Sequence, residues 1–188
     1  MSEPLRIAAL LSGGGRTLQN LLDRGHAGRH PLHVTAVVSD RASAFGVQRA
    51  QSAGIPTLVT RTMDDTFDFV RSHGAELVCL CGYLRLLEIP ADFRGRVLNI
   101  HPSLLPRFGG KGFYGDRVHA AVLASGERES GCTVHHVDDE YDRGPILLQA
   151  RVPVQTTDDV ATLAARVFRA ECEAYPAAIA LWASLRRG

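Results

Sequence analysis

The sequence predicts an α/β fold, a single doubly wound and mostly parallel sheet with helices on both faces. Three observations predict it. Short apolar runs alternate with segments of helical spacing, which is the rhythm of βαβ units. A glycine run, Ser12-Gly13-Gly14-Gly15-Arg16-Thr17, follows the first apolar run and opens a helix, as at the first βα turn of such sheets. The 188 residues, 45% of them hydrophobic, suffice for one compact core and would be cramped as two.

Each element has its own signal. Arg6 to Leu11 supplies the first strand and is too short for a signal peptide or a membrane span. His33 to Val38, Thr57 to Val59, Leu77 to Cys81 and Val97 to Ile100 read as further strands, with Phe45 to Ala53 and Asp64 to Ser72 as crossover helices. Cys132 to Val137 and Ile146 to Val152 flank the turn Asp142-Arg143-Gly144-Pro145 and are expected to pair as a hairpin, so the sheet need not be wholly parallel. The last helix begins at Thr156-Thr-Asp-Asp159, where hydroxyls and carboxylates can cap it. Its apolar stripe, Val160, Leu163, Ala164, Val167 and Phe168, continues to Glu171 and Tyr175, which puts Glu171 on the inward face. Pro176 is expected to bend or break this helix. There is no internal repeat or linker, so residues 1–188 read as one domain.

Composition narrows the partners. Lys and Arg total 21 against 20 Asp and Glu, so no global field draws nucleic acid or an anionic membrane, and any phosphate must be gripped locally. Lys111 is the only lysine, a mobile cation inside Gly109-Gly-Lys-Gly112. Cys79, Cys81, Cys132 and Cys172 lack CxxC spacing and read as small hydrophobes in a reduced cytoplasm.

Chemistry concentrates at Asn99-Ile-His101-Pro-Ser-Leu-Leu-Pro106 and, further on, at Asp142-Arg-Gly144. Side chains alternate along a strand, so Asn99 and His101 project from one face. An amide that donates to a developing oxyanion beside an imidazole that moves a proton suits attack on a carbonyl carbon, and a nearby carboxylate such as Asp142 would favour the imidazolium. Freed amides of the glycine run and the helix start make a natural phosphate cradle. The dinucleotide pattern GxGxxG is met only in part, since Leu18 stands at the third glycine; Asp40 could serve as a ribose ligand in that reading. Leu84, Leu86 and Leu87 have the periodicity of core residues. Glu171 on an apolar face needs a partner or a ligand. His135 and His136 are adjacent and face opposite sides, which argues against a joint metal site, and no metal is expected.

The runs SGGGRTLQ, GYLRLL, LNIHPSLLP and VHHVDDEYDRGPILLQ, in that order from about residue 6 to about residue 176, resemble the phosphoribosylglycinamide formyltransferases, a folate-dependent family of purine synthesis. The resemblance implies a formyltransferase fold with a Rossmann-like N-terminal half. It implies that residues from 1 to about 98 bind the phosphoribosyl substrate and the rest carry catalysis and the folate side. It implies transfer of a formyl group from 10-formyltetrahydrofolate, the co-substrate, to the amine of phosphoribosylglycinamide by a cytoplasmic monomer or homodimer. By that resemblance Asn99 orients the formyl group, His101 is the acid or electrostatic stabiliser, and Asp142 raises the pKa of His101 and helps relay protons. Gly15, Arg16 and Thr17 hold the phosphate and Glu171 the ribose hydroxyls. Leu84, Arg85, Leu86 and Leu87, with Asn99 and Asp138, Asp139, Glu140, Tyr141 and Asp142, surround the pterin. His119 and His135 give support from behind. Departures are Arg16-Thr17, where relatives often carry a small hydroxyl residue and then Asn, Phe168 in place of a polar phosphate contact, and Arg143 in place of glycine. Arg16 is expected to replace the missing phosphate contact. Rival readings are a formyltetrahydrofolate hydrolase, a formyltransferase for an amino sugar or aminoacyl-tRNA, and a non-catalytic nucleotide- or NAD-binding module.

Overall fold

The computed structural model of the chain describes residues 3–26 and 32–187. The chain divides into two compact units, Met1–Leu98 and Asn99–Gly188. The first holds strands β1 (Leu5–Leu11), β2 (Leu32–Ser39), β3 (Thr57–Val59) and β4 (Leu77–Leu80), with helices α1 (Arg16–His26), α2 (Phe45–Ser52) and α3 (Met63–Ser72). Its strands run in the order β3-β2-β1-β4, every pairing parallel. A parallel strand in mid-sheet is covered on both faces, which is why Ile7 to Leu11 and Leu77 to Leu80 are buried throughout instead of alternating.

The chain winds outward from β1 to β3 and returns on the other side of β1 as β4. The carboxyl ends of β1 and β4 therefore form a topological switch point, the usual ligand crevice of an open α/β sheet. Two loops leave from it. They are tied together by the Ser12 N–H donating to the Gly82 carbonyl (3.0 Å) and the Leu84 N–H donating to Ser12 Oγ (3.0 Å). After β3, Thr62 caps α3 by accepting from the Asp65 N–H, and Asp64 and Asp65 in the first turn complement the helix dipole.

The second unit holds most of β5 (Val97–His101), then α4 (Asp116–Ala124), β6 (Glu129–His136), β7 (Ile146–Pro153) and α5 (Val160–Arg187). Its strands run β5-β6-β7, and β6 and β7 form the expected antiparallel pair around the Asp-Arg-Gly-Pro turn. A register shift between Val134 and His135 interrupts their ladder. Helix α5 begins where the sequence placed it. Asp159 Oδ1 accepts from the Thr162 N–H (2.7 Å) while Thr162 Oγ1 accepts from the Asp159 N–H (2.8 Å), a reciprocal cap.

Pro176 does not end α5, which runs on to Arg187. A proline removes one rung of the ladder, but Tyr175, Ala178 and Ile179 beside it are fully buried, and α5 packs on β6, β7 and α4. That burial outweighs the missing hydrogen bond. No described helix is long and apolar enough to cross a membrane.

Candidate active site

Strand β5 delivers Asn99 and His101 side by side, and the chain beyond them is folded back by a buried hydroxyl. Thr133 Oγ1 on β6 donates to the Ser103 carbonyl (2.7 Å) and accepts from the Leu105 N–H (3.0 Å) and Gln149 Nε2 (2.9 Å). Ser103 Oγ in turn donates to the Arg107 carbonyl (2.7 Å). The segment so held reaches Phe108, whose φ of 55° turns its carbonyl onto His101, where Nε2–H donates to it at 2.8 Å. A leucine-rich segment becomes a rigid back wall for one imidazole.

The carboxylate comes from the turn between β6 and β7. Asp142 has φ 56°, a left-handed conformation that Asp and Asn tolerate better than most residues. A Cβ on Gly144 would collide with the His136 carbonyl, so the turn can close this tightly only with glycine there. Thus placed, Asp142 Oδ2 accepts the Gly110 N–H (2.9 Å) and lies 3.4 Å from His101 Nδ1. Its Oδ1 accepts from Asn99 Nδ2 (3.3 Å) and lies 3.5 Å from His135 Nε2. The other Asn99 amide hydrogen goes to His135 Nε2 (3.1 Å), whose opposite nitrogen donates to the His136 carbonyl (2.8 Å). The carboxylate thereby fixes which end of the Asn99 amide faces it, because the amide oxygen would be repelled there.

Electrostatics in this cluster are a contest. Both ring nitrogens of His101 face acceptors, which only the imidazolium can satisfy together. Yet burial pushes His101 down, with the neighbouring His135 adding to it, and Asp142 and the Phe108 carbonyl pull it back only in part, so it stays below the ordinary histidine value. Asp142 raises His101 as expected, but desolvation is the larger effect. Burial also pushes the Asp142 carboxyl up, but the neighbouring His135, the His101 charge and the Gly110 N–H together hold it below its usual value. His119, buried on α4, is lowered by desolvation despite Asp116, with a smaller push from His101, and its Nδ1 has no hydrogen-bond partner among the described residues.

The remaining expected residues fall in several places. Gly15, Arg16 and Thr17 stand at the switch point, with Gly15 at φ 69° and Arg16 opening α1. Of the three leucines read as core, only Leu87 is buried; Leu84 and Leu86 are 38% and 42% exposed. The reason is that no regular strand or helix continues past Leu80, so strand periodicity does not apply to residues 84–87. Arg85 donates to the Arg61 carbonyl, and Arg61 donates to the Asp40 carbonyl (3.3 Å). Asp40 is buried beyond the end of β2, with Oδ1 unpartnered among the described residues and Oδ2 3.7 Å from Arg41 Nε. In the turn before Asp142, the Asp138 carboxylate accepts the Glu140 N–H (3.0 Å), Asp139 is exposed, Tyr141 is half-buried, and Glu140 pairs at 3.7 Å with exposed Arg143. Glu171 is half-buried on α5. Its carboxylate, second to burial, helps push the Cys132 thiol up to about 12.

Sequence reasoning missed the Phe108 carbonyl, the Gly110 N–H and the Thr133 hydroxyl. Backbone groups leave no residue-type signal. The only trace was the Gly109-Gly-Lys-Gly112 run, which marks an unusual path close to Asp142.

Comparison with known proteins identifies the family. A family model described as formyl transferase matches residues 5–179. The chain is 38% identical over 185 residues to a phosphoribosylglycinamide formyltransferase of Haemophilus influenzae, covering 93% of the chain and 85% of that protein. It is 41% identical over 203 residues to the trifunctional purine biosynthetic protein adenosine-3 of Drosophila pseudoobscura, covering all of the chain but only 14% of that much longer protein. Among solved structures, glycinamide ribonucleotide transformylase 1 of Symbiobacterium toebii superposes with a TM-score of 0.90 at 40% identity, over 99% of this chain and 91% of that one. The phosphoribosylglycinamide formyltransferase of Brucella melitensis gives 0.87 at 40% identity over 96% of each chain. The fold is accordingly the expected one, a mostly parallel central sheet flanked by helices. By family model, sequence and structure alike, the chain belongs to the formyl transferase family, in its phosphoribosylglycinamide formyltransferase branch.

Proposed function

We propose that the chain transfers the formyl group of 10-formyltetrahydrofolate to the primary amine of 5′-phosphoribosylglycinamide, as a cytoplasmic monomer or homodimer of purine synthesis. The observation that carries this reading is the cluster in which Asp142 lies within 3.4 Å of both Asn99 Nδ2 and His101 Nδ1. It supplies an oxyanion donor and a proton carrier under one carboxylate. Asn99 keeps one amide hydrogen on His135 and turns the other, released from its long 3.3 Å bond to Asp142, to the formyl oxygen as the carbon becomes tetrahedral. Neutral His101 receives the proton that the attacking amine sheds. The resulting imidazolium is held by Asp142 and the Phe108 carbonyl, and its proton passes to the folate nitrogen as the carbon–nitrogen bond to folate breaks. Formylated product and tetrahydrofolate leave, so atoms and charge balance without a metal or a covalent enzyme intermediate.

Gly15, Arg16 and Thr17 take the substrate phosphate, and Glu171 the ribose hydroxyls. Exposed Leu84 and Leu86, with Arg85, Leu87 and the stretch Asp138, Asp139, Glu140, Tyr141 and Asp142, offer the mix of apolar surface and backbone polar groups that suits a flat heterocycle. His135 fixes the Asn99 amide and His119 lines the back of His101. Apart from Leu84 to Leu87 on the folate side and Glu171 at the ribose, the residues up to Leu98 then serve the phosphoribosyl substrate and those from Asn99 the chemistry and folate.

The test is a spectrophotometric formyl-transfer assay with a 10-formylfolate donor, with and without phosphoribosylglycinamide. Folate release that requires the ribonucleotide, and that falls by about 10²-fold or more in His101→Ala, is the expected result. Release without acceptor would instead mark a hydrolase, and near-normal turnover in His101→Ala would overturn the mechanism.

A further inference from the structure

We infer that Arg49 on α2 is a positioning residue for the anion cradle: it clamps the Gly14 carbonyl so that the loop's amides face the substrate phosphate. The inference rests on the proposed phosphate role of residues 15–17 and adds a residue to it.

The glycine loop is held by its carbonyls. Gly13 O accepts from the Gly46 N–H (3.0 Å), Gly14 O from Arg49 Nε (2.9 Å) and Gly15 O from the Gln19 N–H (2.9 Å). A trans peptide sets each carbonyl opposite the N–H of the next residue. Fixing the carbonyls of residues 13, 14 and 15 therefore aims the amides of residues 14, 15 and 16 the other way. Two of these three anchors are backbone to backbone. The middle one is a side chain, and it orients the Gly15 amide.

Arg49 is built to hold that position. Nη1 donates to Gln19 Oε1 on α1 (3.0 Å), and the guanidinium lies over the Phe45 ring, 4.9 Å from its centroid. The two hydrogen bonds use the planar fork of arginine, and the ring fixes the plane. The loop can come this close because glycine meets glycine. A Cβ on Gly15 would lie 2.6 Å from the Gly46 Cα, and one on Gly46 would lie 2.7 Å from Leu11 Cδ1. Arg49 thus directs Nε and Nη1 at the protein itself, as a clamp does.

The experiment titrates inorganic phosphate into the wild-type chain, Arg49→Met and Arg49→Lys while following the amide resonances of Gly14, Gly15 and Arg16. The same three proteins are assayed with phosphoribosylglycinamide and with its dephosphorylated analogue. Expected are phosphate-dependent shifts at the loop in the wild type and about tenfold weaker binding in Arg49→Met. The KM for the phosphorylated acceptor rises by a similar factor, while kcat, the KM for the folate donor and the KM for the dephosphorylated acceptor stay within about twofold. Arg49→Lys, which keeps charge but loses the fork, shows the same defect. Full function in Arg49→Lys would overturn the clamp, as would an equal rise for the dephosphorylated acceptor or loop amides in the wild type that ignore phosphate. A loop that binds phosphate through Arg49 in a chain that transfers no formyl group would sink the proposed reaction and leave the clamp standing.

Discussion

Replacing Asp142 by asparagine isolates the charge of the site with little disturbance of its shape. Asparagine tolerates the left-handed φ of 56°, and its amide oxygen can still accept the Gly110 N–H now bonded at 2.9 Å. What is lost is the negative charge 3.4 Å from His101 Nδ1 and, because the new amide nitrogen takes the place of Oδ1, the acceptor for the Asn99 amide. At that separation a full charge pair is worth about 5 kcal/mol for an effective dielectric of about 20. The remaining amide dipole retains part of this, leaving a deficit of about 3–4 kcal/mol in the step where His101 carries the proton. The expected fall in kcat is about 10²–10³-fold, with the KM for either substrate changed little. Losing Asp142 also removes the main force that pulls His101 upward against burial, so the acidic limb of kcat/KM, already below the ordinary histidine value, moves to lower pH. Stopped-flow formyl transfer over a pH series reads both quantities. A loss smaller than tenfold, or an acidic limb displaced to higher pH, would refute the assignment of Asp142 as the charge that holds the imidazolium.

Two further outcomes are expected. Thr133→Val keeps shape but strips the Leu105 N–H, the Ser103 carbonyl and Gln149 Nε2 of a buried partner, so denaturant unfolding should show about 3 kcal/mol of lost stability; a change under 1 kcal/mol would mean that water replaces the hydroxyl. His101, His119 and His136 all lie below the ordinary histidine value in the fold, burial being the first cause in each, so the unfolded chain takes up protons first as pH falls. Their contribution to stability is full above about pH 6.5 and is lost as pH falls below it, and the unfolding midpoint should drop between about pH 7.5 and about pH 5.5, less steeply in His119→Gln. A midpoint flat over that range would contradict the burial of these rings.

The sequence made Asn99 and His101 legible because strand geometry alone places residues two apart on one face, and β5 does so. Asp142 is legible through the resemblance, since Asp-Arg-Gly-Pro by itself reads as an ordinary turn, and the turn between β6 and β7 carries it to Asn99 and His101. The protonation balance of His101 could not be read. It depends on how completely the ring is desolvated, and that is a property of the folded back wall instead of any one residue. The exposure of Leu84 and Leu86 was hidden for a related reason, since periodicity speaks only where a regular element continues. Of the bend or break expected at Pro176, the break does not occur, because the burial of Tyr175 and Ile179 around it outweighs the local preference.

The glycine-on-glycine contact between residues 15 and 46 bears on any attempt to move this loop to another scaffold. The obstacle to a side chain at residue 15 is the α-carbon of Gly46, an atom that cannot rotate aside. Copying residues 12–17 into a host would carry the letters of the cradle without the shape. The smallest portable piece includes the start of the helix at residues 45–49, and a host with alanine at the position of Gly46 would hold the graft off its seat however faithfully the loop was reproduced.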